Sequence, residues 1–168
     1  LEAITQSREA DLVVSDAEGA KAGFHAYIDN TGKVVLGYPA LTLNELKEEK
    51  KAQIDAEASA AILAGFDYTV DGVTYYFSYD AFDQQNFADT ANVCIMKQAG
   101  MPGLPDSVMW NAYTVPDNEL ARLTFDAPGF LALYAGGAMK HKNGTMQRGG
   151  ERKAAVEAAA TAEEIEAA

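Results

Sequence analysis

The stretch Phe66–Tyr79 constrains the fold more than any other part of the sequence, because it predicts a β-hairpin of fixed register. Asp71-Gly72 at its centre is typical of a two-residue type I′ turn, in which both central residues take positive φ. With that turn in place, the apolar side chains of the two strands share one face: Phe66, Tyr68, Val70, Val73, Tyr75 and Phe77. A two-stranded ribbon is only marginally stable in water, so this face predicts a covering layer built by the flanking segments.

The length and charge of the chain restrict the class of protein. Its 168 residues suffice for one domain, with or without an arm. The net charge of −12 disfavours binding to nucleic acid or to an anionic membrane surface, so neither is predicted as a partner. The sequence has no apolar run as long as a membrane span and no visible signal peptide. Because the chain begins with Leu1 rather than Met, we expect it to be a trimmed fragment.

The first forty residues predict an arm followed by a small hairpin. Residues 1–22 are polar with short apolar interruptions, which indicates an arm that becomes ordered only on a partner. Two β-rich runs then flank a turn of Asp, Asn, Thr and Gly and predict a hairpin. The G-Y-P-A segment after it predicts a linker. We therefore expect an arm over residues 1–22 and a hairpin with its linker over residues 23–40.

Two helices are predicted on either side of the Phe66–Tyr79 hairpin. Thr42 and Glu45 have the spacing of a capping box, and Gly65 is placed to end the first helix. The first half of this helix is almost wholly charged, which predicts that it projects from the core or meets copies of itself. Asp80 is the predicted N-cap of the second helix, and Gly100 ends it.

A third hairpin and a closing helical region are predicted after the second helix. Trp110 lies in a segment of alternating apolar and polar residues, and we expect it in the core. Asp126 and Pro128 then open a helix, because Pro is well accommodated in a first turn. Asn143-Gly144 and Gly149-Gly150 predict interruptions of that helix, and the Ala/Glu-rich tail beyond them favours a further helix that needs a partner.

This order of elements predicts an α+β fold, with three short antiparallel β-hairpins interleaved with helices and an α-helical C-terminus. Within it we expect residues 41–142 to form an α+β domain. Residues 143–168 are predicted to form a helical C-terminal tail.

The sequence predicts no catalytic residue, no cofactor and no metal site. Motifs for nucleotide binding or an activated nucleophile are missing, and neither histidine has a Cys or His neighbour at ligand spacing. Cys94 lies in an apolar run, which predicts a buried, unreactive thiol. Asp71, Asp80 and Asp83 leave a calcium site open, although turn and cap roles account for all three.

Five residues are predicted as structural or interaction candidates: Trp110, Tyr76, Gly136, Gly137 and His141. The glycine pair lies inside a helical pattern, where a second backbone can come close, so we expect a helix of another copy there. His141 is predicted to interact with a helix dipole or with another chain. Five aromatic residues are suited to stacking on sugars, but a role in the core and its rim is favoured because aromatics build the cores of small ribbons: Tyr68, Tyr75, Tyr76, Tyr79 and Trp110.

The segment from Leu46 to Asp55, the G-F-D-Y run with Asp71-Gly72, and the D-A-F-D-Q-Q-N-F segment that starts at Asp80 together resemble a known family. This is a domain of unknown function found in tail-fibre-associated proteins of bacteriophages and prophages. The similarity covers residues 43–165 in order and spacing, including the Trp110 strand, the Asp117-Asn118 turn and a long closing helix. The glycine-containing segments after residue 142 depart from the single closing helix of that family.

The resemblance implies a non-enzymatic structural or attachment component of a phage or prophage tail. It favours self-association as a trimer, contacts with other tail proteins, and a location in the virion tail. Two alternatives stay open at this point. One is a tail-fibre assembly chaperone that acts in the bacterial host cytoplasm. The other is a carbohydrate-binding or carbohydrate-active protein that uses the exposed tyrosines and acids, in which case a host surface glycan is a partner.

Overall fold

A computed structural model of the chain describes residues 25–28, 32–37 and 41–168. The predicted arm over residues 1–22 and most of the predicted linker lie outside the described residues. The contacts of the chain divide it into two compact units, Leu1–Leu46 and Lys47–Ala168. Each unit is described by itself.

The first unit contains a short hairpin. Strands β1 (His25–Ile28) and β2 (Val34–Gly37) pair antiparallel, with Ile28 opposite Val34. This confirms the hairpin predicted for this region. The unit ends in the first residues of a helix that begins at Leu43.

The second unit is built on one four-stranded antiparallel sheet. Its strands are β3 (Phe66–Val70), β4 (Val73–Phe77), β5 (Ser107–Thr114) and β6 (Leu120–Asp126), in the order β3-β4-β5-β6. The turn between β3 and β4 has φ of 51° at Asp71 and 81° at Gly72, and Val70 pairs with Val73, as predicted. The second and third predicted hairpins therefore share one sheet. Two residue pairs between β4 and β5 join them, Tyr75↔Thr114 and Tyr76↔Tyr113.

The helices are α1 (Leu43–Leu63), α2 (Ala81–Gln98), α3 (Ala127–Leu133), α4 (Lys140–Ala158) and α5 (Ala162–Ala167). A π-helical segment, Tyr134–Met139, joins α3 to α4 without a break. The observed fold is α+β, as predicted.

The predicted helix starts are confirmed. The amide of Glu45 donates to Thr42 Oγ1 at 3.3 Å, and the amide of Thr42 donates to Glu45 Oε2 at 2.8 Å, which completes the capping box. The bonds that the Glu45 carboxylate accepts from the amide and the hydroxyl of Thr42 lower its pKa. Asp80 caps α2 and Asp126 caps α3, each through its side-chain carboxylate. Such caps satisfy amides that have no partner within the helix.

The core lies between one face of the sheet and the helices α2, α3 and the π-helical segment. Phe66 and Phe77, paired across β3 and β4, stack with ring centroids 5.6 Å apart. From the helices, Phe87 and Phe130 pack against them and are fully buried. We call this the inner face of the sheet; it is the apolar face that the hairpin sequence predicted.

The charged half of α1 does not project, and this prediction is wrong. Lys47 Nζ donates to the carbonyl oxygen of Glu157 at 2.7 Å, and Lys50 Nζ donates to that of Glu166 at 2.8 Å. These carbonyls lie at the ends of α4 and α5, where helices leave acceptors without intrahelical partners and favour positive charge. The lysines of α1 are therefore used within the chain to hold its own C-terminal helices.

Ion pairs and buried side chains complete this contact. Arg152 pairs with Glu57 at 2.6 Å, and Lys153 pairs with Asp55 at 2.6 Å. The hydrogen bond from Arg152 lowers the pKa of the Glu57 carboxyl. Four side chains are buried in a second small cluster: Ile54, Val156, Ala159 and Ile165. The tail is therefore ordered by its own chain, whereas the sequence predicted that it needs a partner.

The interruptions predicted at Asn143-Gly144 and Gly149-Gly150 are also wrong, because α4 runs through both. A glycine costs a helix interior about 1 kcal/mol relative to alanine. Packing outweighs that cost here. Gly149 is buried, and a Cβ at this position would lie 3.6 Å from Cβ of Ala58 and 3.8 Å from Cγ2 of Ile54.

Candidate functional site

The face of the sheet opposite the core, the outer face, has no described element packed over it. It comprises alternate residues of the four strands: Asp67, Thr69, Thr74, Tyr76, Ser107, Met109, Asn111, Tyr113, Leu120, Arg122, Thr124 and Asp126. Met109 is 66% exposed and Leu120 is 50% exposed, which is high for apolar side chains on a central and an edge strand. An antiparallel sheet commonly leaves one face to solvent, but that face is then usually polar.

The charge of the outer face differs from that of the whole chain. It carries two carboxylates, Asp67 and Asp126, and one guanidinium, Arg122, so its formal net charge is −1. The Asp126 carboxylate lies at the end of β6 and caps α3. The chain as a whole has 25 acidic and 13 basic residues. A nearly neutral, partly apolar surface on so acidic a protein is suited to contact with another protein, because most of the charges that would repel it lie elsewhere.

Tyr76, one of the predicted interaction candidates, is at the centre of this face. Its ring lies 6.2 Å from that of Tyr113 on the neighbouring strand. Its hydroxyl donates to the carbonyl oxygen of Ala64 at 2.8 Å, which ties the sheet to the end of α1. Gly65 beside it has φ of +83°, and a Cβ there would lie 2.6 Å from the Tyr76 hydroxyl. Tyr76 is therefore held in place rather than free to move.

A polar groove of about 430 Å³ adjoins the outer face where β5 runs beyond the end of β4. Helix α2 contributes Asp83, Asn86 and Thr90, which lie on one side of the helix. The strands contribute the remaining residues: Ser78, Met109, Trp110, Asn111 and Tyr113. Among the described residues, the side chains of Asp83, Asn86 and Asn111 have no hydrogen-bond partner. Amides, a carboxylate and hydroxyls beside aromatic rings are suited to a polar ligand such as a sugar.

Trp110 packs in the core, as predicted, and also lines this groove. Its ring lies 4.4 Å from that of Phe87 and 5.0 Å from that of Phe130, and it is half-buried. It is therefore a core residue with one part at a polar surface. The three aspartates considered for calcium do not converge: Asp71 forms the β3–β4 turn, Asp80 caps α2, and Asp83 lines the groove.

Gly136 and Gly137 do make a close approach, but to this chain's own aromatic side chains. A Cβ at Gly137 would lie 2.5 Å from Cε2 of Phe66, and one at Gly136 would lie 3.3 Å from Cε2 of Tyr68. Gly137 is buried inside the π-helical segment. The predicted contact with a helix of another copy is therefore wrong at Gly137, because the Phe66 ring occupies that space.

His141 joins two parts of the second unit. Its Nε2 lies 3.2 Å from the carbonyl oxygen of Ile62, in the last turn of α1, and its ring lies 5.7 Å from that of Phe66. A histidine at a helix C-terminus satisfies a carbonyl that has no intrahelical partner. The predicted helix-end role is confirmed, but the helix concerned is α1 rather than His141's own.

The other groups with potential chemistry are accounted for by packing. Burial raises the pKa of the Cys94 thiol and, in the core, that of the Tyr79 hydroxyl. A thiol with a raised pKa is a poor nucleophile. In the described part of the chain, no three His, Cys, Asp or Glu side chains are placed to hold a metal ion. None of the helices described has the length and apolar character needed to cross a membrane.

Sequence reasoning missed most of the outer face and the polar groove. Of these residues, only Tyr76 and Trp110 were predicted as interaction candidates, and Asp83 was considered only as a calcium ligand. The alternation along the strands predicted which side chains share a face, but not that the face of Met109 and Asn111 is left uncovered or that Arg122 lies opposite Asn111. The α2 residues of the groove carry no comparable signal, since the position of α2 depends on the tertiary fold.

The position of Gly137 under the Phe66 ring predicts that even alanine is destabilising there. Gly137→Ala should lower the free energy of unfolding by about 1–3 kcal/mol, because the core must shift to admit a methyl group. Gly150→Ala is the matched control on the same continuous helix, since nothing lies within 4 Å of a Cβ at that position. It should raise stability by about 0.5–1 kcal/mol through helix propensity. Urea denaturation measures both, and equal effects would contradict this packing.

Comparison with known proteins places the second unit in a family. A family model described as a domain of unknown function, DUF4376, matches residues 45–168. No curated protein and no solved structure is significantly similar to the chain. The matched residues contain the four-stranded sheet, its outer face and all the helices except the first residues of α1. The chain belongs to the DUF4376 family.

Proposed function

We propose that the chain is a non-enzymatic structural or attachment component of a phage or prophage tail, and that it associates with copies of itself through the outer face. The resemblance of residues 43–165 to tail-fibre-associated proteins supports a role in a phage or prophage tail. The composition of the outer face supports the association of copies. Detection of the protein in purified virions would distinguish a tail component from an assembly chaperone that stays in the host cytoplasm.

The observation that carries the association is the composition of the outer face. Two chains of net charge −12 repel each other, so a contact between them must exclude most of that charge. The outer face has a formal charge of only −1 and exposes Met109 and Leu120. Burying apolar surface of this kind stabilises a contact by about 25 cal/mol per Å² before the costs of association.

Two opposite charges of the outer face lie at opposite edges of the sheet, Asp67 on β3 and Arg122 on β6. When two copies meet face to face about a two-fold axis parallel to the strands, β3 of each copy lies over β6 of the other. Asp67 is level with Leu120, two residues along β6 from Arg122. The long Arg122 side chain can span that distance, which gives two equivalent ion pairs. This geometry favours two copies, whereas the family resemblance favours three.

Light scattering on Met109→Glu tests the association directly. The unchanged chain should have twice its monomer mass of 17.9 kDa at micromolar concentration. One carboxylate introduced within the contact on each copy should weaken dimerisation at least ~10-fold, because burying an unpaired charge costs several kcal/mol. Met146→Glu is the matched control, since Met146 is 57% exposed on α4, away from the face. If the unchanged chain is a monomer at all concentrations, self-association is contradicted. If the two variants have equal effects, the outer face is not the contact surface.

The polar groove supports a second candidate function, the binding of a host surface glycan. Its side chains from α2 and β5 lack partners within the described residues and lie beside Trp110 and Tyr113. Sugars are commonly bound by hydrogen bonds to such groups together with aromatic contact. This candidate concerns attachment and is compatible with a structural role in a tail.

Trp110 is the only tryptophan and reports on this groove. Titration with purified oligosaccharides from host surface polysaccharide should change its fluorescence saturably. Asp83→Asn should weaken binding at least ~10-fold, through loss of a charge-assisted hydrogen bond. Asp89→Asn, on the exposed side of the same helix, is the control and should leave affinity unchanged. A titration without a saturable change would exclude the tested glycans as ligands.

A further inference from the structure

Strand β3 is an outermost strand of the sheet, and half of its backbone groups face away from β4. In a hairpin with a two-residue turn, the residues that flank the turn exchange both hydrogen bonds, and every second pair does the same. Here these are the pairs of Phe66, Tyr68 and Val70 with β4. The N–H and C=O groups of Asp67 and Thr69 therefore point to the free edge. Within the described chain they have no hydrogen-bond partner.

A groove of about 660 Å³ runs along this edge. Its far wall is the continuous helix from the π-helical segment into α4, where Gly136 and Gly137 present backbone without side chains. The side chains of Lys140, His141 and Arg148 extend the wall. π-helical turns are uncommon and often occur at functional sites. An unprotected edge beside a groove is unusual, because proteins generally cover or charge their sheet edges.

The groove is positively charged in a strongly acidic chain. The Lys140 ammonium makes no hydrogen bond or ion pair in the described chain, and the Arg148 guanidinium donates only to Thr145 Oγ1, at 2.9 Å. By contrast, four other cations pair with carboxylates: Lys51, Lys97, Arg152 and Lys153. Asp67 is the one carboxylate of the groove, so two cations and one anion leave a charge of +1. His141 is bonded to Ile62 and belongs to the wall.

We propose that this edge groove binds an extended, acidic segment of a partner protein by strand addition to β3. Main-chain groups of the segment would bond to the N–H and C=O groups of Asp67 and Thr69. Its carboxylates would reach Lys140 and Arg148. Added strands gain affinity from main-chain bonds and specificity from alternate side chains. The cations select acidic side chains through charge-assisted hydrogen bonds and attraction to carboxylates; both are exposed, so this attraction is screened by salt.

This inference goes beyond the proposed self-association, because it uses the free backbone of the β3 edge and the cations of α4 rather than the flat side of the sheet. Asp67, Thr69 and Thr74 border both surfaces, whereas Met109 belongs to the outer face alone. Met109→Glu should therefore leave peptide binding unchanged. Failure of dimerisation would not affect the edge groove, and failure of peptide binding would not affect the outer face.

Fluorescence anisotropy with labelled peptides tests the proposal on the full chain. The probe is an eight-residue peptide of alternating Val and Glu, and the comparison peptide has Lys in place of Glu. The Glu peptide should bind saturably, at least ~10-fold more tightly than the Lys peptide, and more weakly at high salt. Equal binding of the two peptides would overturn the role of the cations.

Two N-methylated versions of the Glu peptide separate strand addition from charge attraction alone. One carries the methyl groups on the Val amides and the other on the Glu amides. Since alternate residues of a strand direct their amides to opposite edges, one version should lose binding and the other should retain it. Equal effects on both, or none on either, would overturn strand addition.

Charge reversal locates the binding site. The double substitution Lys140→Glu and Arg148→Glu should weaken binding of the Glu peptide at least ~10-fold and improve binding of the Lys peptide. Arg122→Glu makes the same charge reversal at one residue of the outer face. It is the control and should change the affinity for neither peptide. Thermal melting checks that each variant is folded. Unchanged affinity in a folded double variant would place the peptide elsewhere and overturn the proposal.

Discussion

The ring of Phe66 is the contact on which the second unit depends. It stacks on Phe77 within the sheet, meets Tyr79 and Phe87 edge-on or tilted, and lies 5.7 Å from the His141 ring. It also fills the space above Gly137, where any side chain would collide with it. One residue of the hairpin thus contacts β4, α2, the π-helical segment and α4. Aromatic packing of this kind contributes through area and ring geometry together.

This packing leaves the sheet one-sided. The helices α2 and α3 and the π-helical segment cover its inner face, and α1 packs against α4 and α5 through lysine–carbonyl bonds and ion pairs. The described helices are therefore engaged away from the outer face. A sheet of four strands with one apolar face needs a cover on that face only, and the other is available for partners. Both proposed contact surfaces follow from this arrangement.

Local features of the fold were predictable from the sequence. The Asp71-Gly72 turn, the capping box at Thr42 and the caps at Asp80 and Asp126 depend on neighbouring residues alone, and all are observed. The joining of the hairpins into one sheet was not predicted, because it rests on two residue pairs between β4 and β5. The contact of α1 with α4 was also missed. It depends on lysine donors and backbone acceptors about a hundred residues apart, as between Lys47 and Glu157. Such long-range pairs produce no periodic pattern in the sequence.

The candidate sites were harder to predict than the fold. The sequence drew attention to glycines and aromatics, yet Gly137 proved to be a core position, and the outer face and edge groove depend on which strands lie at the edges. Edge position is a property of topology, and it decides whether the backbone of Asp67 and Thr69 is paired. Arg148 reaches the groove only because α4 continues through Asn143-Gly144, where an interruption was predicted.

Residue-resolved hydrogen exchange along β3 is the most direct measurement of this one-sided, open-edged sheet. The amides of Tyr68 and Val70 bond to β4 and should exchange slowly, in proportion to the stability of the second unit. Those of Asp67 and Thr69 point to the free edge and should exchange much faster. Such alternation over four consecutive residues would support the account. Equal protection of all four amides would mean that another strand already covers the edge, and would contradict it.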